Sequence, residues 1–265
     1  MVSGIAGVNP ACGTLGGVAI AHYTVQVGLE YEIAPSENLT AALALRAGYI
    51  PLGAKTPDAY PVNIYGTEVF ELNVHLRNKA LGLAQTANLS DSSTASAYRA
   101  HYPKAPANKP PTVFKGDTAT SDVYFHGAVL ADAFDEYFVK VTNGSGKYCM
   151  TAQEDNAVLE AMIRGAAASL VDFERIIVMR AASNFDREYP GETAAQSLLY
   201  DTSGGFSISL ANLYKAGSPI IDDIMTNWKK TWAKGISYSN YAGDILDSVP
   251  NGITPDIGTP EGRIG

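Results

Sequence analysis

Between positions 157 and 171 the chain places Ala157, Val158, Leu159, Ala161, Met162, Ile163, Ala166, Ala167, Ala168, Leu170 and Val171 with few polar breaks. The acidic pair Glu154-Asp155 stands directly ahead of this run. Carboxylates suit the free N–H groups and positive end of a helix, so the pattern predicts a helix over about 153–170, buried on most of its sides. Two β-branched and aromatic stretches, 15–20 and 23–27, read as strands, as does Glu174–Ala181 with its core Ile176-Ile177-Val178-Met179. Residues 66–88 and 128–139 carry apolar and polar sides at helical spacing, and 205–234 holds a further helix or helix pair with Trp228 and Trp232. Residues 146–152 suggest another strand, and Pro111–Phe114 a strand ending in a loop at Gly116-Asp117-Thr118. The proline-bearing stretches 34–62 and 89–112 read as connections. Strands alternating with helices indicate an α/β architecture with ligands at strand C-terminal ends. One domain is expected over 1–248, followed by an irregular tail over 249–265 rich in proline and glycine.

With 265 residues, 46% apolar and only 17% charged, the chain can bury a full core. A net charge of −8 argues against a nucleic-acid partner, which needs a basic face. Four histidines and the absence of CxxC, HExxH, P-loop and GxSxG patterns lead us to expect neither a metal nor another cofactor. No run of 18 apolar residues is present, so no transmembrane span is expected. Cys12 and Cys149 are either core thiols or one bridge, a choice that Cα separation decides. Acceptor patterns for N-glycosylation at Asn38, Asn88 and Asn143 lean toward a secreted or cell-surface protein, although Met1–Gly4 lacks a signal-peptide layout.

Four segments at or after expected strands resemble pieces of the nucleoside phosphorylase superfamily. Gly4-Ile5-Ala6-Gly7-Val8 is similar to its glycine-rich strand end, and Gly116–Phe125 to the loop that offers an aromatic face to the base. Gln153-Glu154 resembles its Met-Glu pair, and Arg180–Asp186, with Ser183-Asn184, its Ser-Asp motif. Taken with Tyr65–Glu71, Thr151–Asn156 and Gly191-Glu192, the order of motifs resembles the purine nucleoside permease family. The resemblance implies a three-layer αβα sandwich around a central mixed sheet. It also implies a purine nucleoside ligand and a homo-oligomer. Relatives begin well upstream, so the N-terminal strands are expected to be absent here, leaving an exposed sheet edge.

Carried onto this chain, the resemblance places Ala6, Gly7, Tyr124, Gln153, Glu154 and Ser183 at the substrate, and Asn184 and Asp186 at the reacting bond. Glu154 would accept hydrogen bonds from the sugar diol, with helix capping as the plainer alternative. Tyr124 would stack on the base, and Asn184 would hold its edge. Ile5 stands where the superfamily has serine or threonine and cannot donate to phosphate, while Asn184 cannot deliver a proton as an aspartic acid would. Nucleoside binding for uptake is therefore the leading expectation. Hydrolytic rather than phosphorolytic cleavage of the N-glycosidic bond comes second, and a scaffold diverted to another small molecule third.

Overall fold

The computed structural model describes residues 1–34, 36–37, 47–63 and 65–239. The tail expected over 249–265, the end of the expected domain and the Asn38 acceptor lie outside the described residues. The described residues form ten strands and six α-helices: β1 Val2–Val8, β2 Val18–Ile20, β3 Tyr23–Gln26, β4 Glu30–Glu32, β5 Tyr49–Pro51, β6 Val69–Glu71, α1 Val74–Ala84, α2 Ser93–Arg99, β7 Val113–Lys115, β8 Asp117–Thr120, α3 Ala128–Val141, β9 Tyr148–Ala152, α4 Asp155–Ala167, β10 Val178–Phe185, α5 Ala194–Leu199 and α6 Gly205–Thr226. Eight strands form one mixed sheet in the order β6-β3-β8-β9-β1-β10-β2-β7, and β4 pairs with β5 apart from it.

Strand β10 shows how the layers arise. Successive side chains of a strand point to opposite faces. Val178 packs with Leu159 and Ile163 of α4, whereas Met179 and Ala181 pack with Ala216 and Ile220 of α6. Arg180, next on the α4 side, bonds to Asp155 at the start of that helix. The sheet is thus sandwiched between helices, the αβα arrangement expected from the resemblance. A third helix, α3, lays Phe134, Tyr137 and Phe138 against Tyr23 and Val25 of β3 and Ala119 of β8.

Several local expectations are corrected. Val69 and Phe70, read as helical, form edge strand β6. The helix starts later because Asn73 caps it, its carboxamide oxygen accepting from the backbone N–H of His75 and Leu76. Gly116-Asp117-Thr118 is not a loop: β8 begins at Asp117, whose buried carboxylate accepts from the N–H groups of His22, Tyr23 and Lys147. The strand expected over Glu174–Ala181 begins at Val178 and runs on to Phe185, since Phe173–Arg175 close into a 3₁₀ turn. Helix α4 buries Asp155, Asn156, Leu159 and Ile163 but leaves Ala157 and Ala161 exposed. Alanine methyls carry too little apolar surface to require covering, so an alanine-rich run overstated the burial. β1 lies inside the sheet, paired with β10 along its length and with β9 at Gly7 and Val8. Connection 89–112 contains α2.

Cys12 and Cys149 form a disulfide, with Cα atoms 5.4 Å apart across 137 residues of sequence. It ties the loop after β1 to the core of β9. Such bridges persist in oxidising compartments. Closing so long a loop restricts the unfolded chain, so reduction should remove about 2–4 kcal/mol of stability. Thermal denaturation with and without dithiothreitol measures this. The melting temperature of the wild type should fall, while that of Cys149→Ala should start lower and ignore the reductant. A wild-type melting temperature that reductant leaves unchanged would show that the bridge contributes no stability.

Candidate functional site

The first strand pair opens the site. β1 and β9 run antiparallel but pair only at Gly7 with Thr151 and Val8 with Met150. Beyond that point β9 parts from β1 while staying paired with β8 to Ala152, then turns at Gln153-Glu154 and enters α4. A cavity of about 510 Å³ occupies the gap, lined by Ile5, Ala6 and Gly7 on one side and Thr151, Ala152, Gln153 and Glu154 on the other. Its size falls within the range of about 300–1,000 Å³ usual for small-molecule sites. Gly7 keeps the two strands close. Its N–H donates to Thr151 Oγ1 at 3.0 Å, and a Cβ built there would stand 2.4 Å from the same oxygen.

β10 supplies a third wall through a bulge. Ala6 pairs with Ala182 but Gly7 pairs with Asn184, so Ser183 is an extra residue in the strand. Neighbouring strand residues ordinarily face opposite ways, and a bulge re-aims them. Here Ser183 and Asn184 both line the cavity. The Ser183 hydroxyl lies 2.9 Å from Asn184 Oδ1, and Asn184 Nδ2 donates to the carbonyl of Phe185 at 2.9 Å. The loop after β8 brings Val123, Tyr124 and Phe125, and Phe206 at the start of α6 completes the lining. Tyr124 is 55% exposed. Desolvation raises its phenol above the ordinary value, and a side-chain hydrogen bond with Asn184 opposes that rise.

The acidic pair at the helix start divides its work. Glu154 occupies the N-cap position, yet its side chain makes no capping bond and remains 60% exposed beside the cavity. Asp155 is fully buried and binds Arg180, whose Nε lies 3.0 Å from Oδ1 and whose Nη2 also contacts that oxygen. The same Nη2 reaches Glu154 Oε2 at 3.2 Å. Burial alone would lower the pKa of Arg180, but the bonds and charge of Asp155 and Glu154 raise it instead. Space for the guanidinium comes from Gly4, where a Cβ would stand 2.4 Å from Arg180 Nη1. Arg180 thus braces the carboxylate that faces the cavity, a part that the motif comparison did not assign to it.

Seven of the eight residues singled out from the sequence line this one cavity: Ala6, Gly7, Tyr124, Gln153, Glu154, Ser183 and Asn184. Asp186 does not. It is buried, accepts from the Tyr148 hydroxyl at 2.6 Å and pairs with Arg187 at 2.9 Å. Asp186 follows the end of β10 at Phe185, and Tyr148 and Arg187 hold its carboxylate between them. Thr151, Val123 and Phe125 lie within segments that carried the resemblance but were not singled out there, and Phe206, at the start of α6, carried no sequence signal. Among the described residues no group of three or more histidine, cysteine or acidic side chains is arranged to hold a metal ion.

Comparison with known proteins identifies the family. The family model described as purine nucleoside permease (NUP) matches residues 1–237. A purine nucleoside permease of Candida albicans is 46% identical over 97% of this chain and 64% of its own length. The chain therefore spans 64% of the length of that relative. A Schizosaccharomyces pombe protein named "probable purine nucleoside permease" is 35% identical over 86% of this chain and 67% of its own length. Among solved structures, a 5'-methylthioadenosine/S-adenosylhomocysteine nucleosidase from Neisseria meningitidis, in complex with methylthio-immucillin-A, overlaps 84% of this chain and 67% of its own at 15% identity and a TM-score of 0.44. The extent of the family match and the identity to the yeast proteins show that the chain belongs to the purine nucleoside permease family.

Proposed function

We propose that the cavity between β1, β9 and β10 binds a purine nucleoside and that the chain serves nucleoside recognition in uptake. The observation that carries this reading is the meeting of Glu154, Tyr124 and Asn184, drawn from three distant segments, around one cavity of about 510 Å³. In it Glu154 accepts from the sugar diol, Tyr124 lies on the base, and Asn184 meets the base edge. No helix of the described residues is long and apolar enough to cross a membrane, so the role assigned to these residues is recognition rather than lining a pore.

Binding is favoured over bond cleavage by what surrounds the proposed ligand. Ile5 lines the cavity without a donor for phosphate, Asn184 has no acidic proton, and Asp186 is held away by Tyr148 and Arg187. A thermal-shift panel of purine nucleosides, paired with an assay for released base with and without phosphate, tests both parts. At about a hundred times its dissociation constant a nucleoside should add about 2.7 kcal/mol of stability, without release of base. No shift with any purine nucleoside would remove the reading. Phosphate-independent release would replace binding with hydrolysis, and phosphate-dependent release would contradict the reading of Ile5.

A further inference from the structure

We propose that Asn143 is a site of N-glycosylation, taking its oligosaccharide from a lipid diphosphate donor, and that Asn88, which bears the same acceptor pattern, stays bare. Two observations point to this chemistry independently. Asn143-Gly144-Ser145 is an Asn-x-Ser acceptor. The Cys12–Cys149 bridge belongs to chains that mature in oxidising compartments, where such acceptors meet the transferring enzyme. The modification goes beyond the nucleoside reading and does not depend on it.

The fold presents the two acceptors differently. Asn143 sits in the turn between α3 and β9 with a φ of 51°, a left-handed conformation that asparagine adopts more readily than most side chains. Asn143, Gly144 and Ser145 are all exposed. Backbone groups and Thr142 close the turn. The N–H of Asn143 donates to the carbonyl of Lys140 at 3.0 Å, that of Gly144 to the carbonyl of Val139 at 2.8 Å, and that of Gly146 to Thr142 Oγ1 at 3.2 Å. Within the acceptor only the Ser145 hydroxyl is engaged by a side chain, that of Tyr23. The Asn143 carboxamide has no hydrogen-bond partner among the described residues, so its nitrogen is free for the transfer. In that step a bond from Nδ2 to the anomeric carbon forms as the C–O bond to the diphosphate breaks. The electron pair leaves with the lipid diphosphate, and one amide proton passes to a base of the transferring enzyme. Asn88 is exposed as well, but the rest of its acceptor is tied down. Leu89 packs on the core beneath α1 and α6. The N–H of Ser90 donates to Asn212 Oδ1 at 2.6 Å, and its carbonyl accepts from Asn212 Nδ2 at 2.9 Å. Asn212 is itself fully buried. An enzyme that must grip all three residues reaches Asn143 before and after folding, but Asn88 only until Ser90 docks.

β9 leads from this turn to the cavity, which it reaches at Thr151, so a glycan on Asn143 stands at the opposite end of that strand from the proposed ligand. The test is to send the full chain into the secretory pathway of a eukaryotic host behind a cleaved leader and to collect cells and medium together. Enzymatic release of N-glycans in water enriched in heavy oxygen converts each formerly glycosylated asparagine to labelled aspartate, which peptide mass spectrometry then locates. In wild type the Asn143 peptide should carry the label in most molecules and the Asn88 peptide should not. The Asn38 acceptor, outside the described residues, is read from its own peptide. Ser145→Ala should leave Asn143 unlabelled, Ser145→Thr should keep the label, and Asn143→Asp, which suits the same left-handed turn, should lose one glycan in gel mobility. Bare Asn143 in wild type would overturn the proposal. So would label on Asn88 to the same extent as on Asn143, or label on Asn143 that survives Ser145→Ala.

Discussion

Replacement of Glu154 by alanine should abolish most of the thermal stabilisation that a purine nucleoside confers while leaving the unliganded protein nearly as stable as wild type. The two halves of this expectation have separate causes. A charge-assisted hydrogen bond to a hydroxyl contributes roughly 1.5–3 kcal/mol, so losing it should weaken binding by about tenfold to a hundredfold. Folding should be spared because the Glu154 side chain is 60% exposed and its ion pair with Arg180, at 3.2 Å, is partly solvated. Pairs of that kind add at most about 1 kcal/mol. Asp155 continues to hold the guanidinium after the change. Titration calorimetry alongside thermal melts separates the effects. Equal nucleoside affinity in wild type and variant would take Glu154 out of the site, and a large fall in unliganded stability would mean that its role is structural.

Arg180→Met should produce the reverse pattern, a protein that unfolds easily before any ligand is added. The side chain is 6% exposed and that of Asp155 not at all. Removing one member of a buried pair strands the other charge, at a cost of about 3–5 kcal/mol. For a chain of this size the melting temperature should drop by roughly 2–4 °C per kcal/mol. The double variant Arg180→Met/Asp155→Asn should regain a large part of the loss, because no charge is left behind. A single variant as stable as wild type would contradict the pairing.

The legibility of this chain followed the range over which each residue's placement was decided. Helix α3, strand β9 and the β2–β3 region could be read locally, because alternation and helical spacing reflect burial on one side of one element. Glu154, Tyr124 and Asn184 were found through motif order, not through any local pattern. What escaped was set by distant contacts. Val69 and Phe70 look helical beside α1 until β3 offers them a strand to pair with. Arg180 was read only as part of a strand and of a motif, although an arginine among Val178, Met179, Ala181 and Ala182 could sit there only with a buried acid opposite. That demand was the available signal, and Asp155 answers it. Neither the extra residue at Ser183 nor the departure of β9 from β1 leaves a trace in composition, since both are matters of register.

The gap between β1 and β9 has a consequence for folding. Residues near the beginning of the chain, Ile5 to Gly7, face residues 151–154 and 183–184 across it, so no contiguous fragment carries the walls. Long sequence separation makes such contacts slow and late to form. During refolding, ligand capture should therefore lag behind the recovery of helical signal. A pulse of ligand would then count only those molecules whose separate wall segments have already met, and a bound small molecule would act on them as a latch.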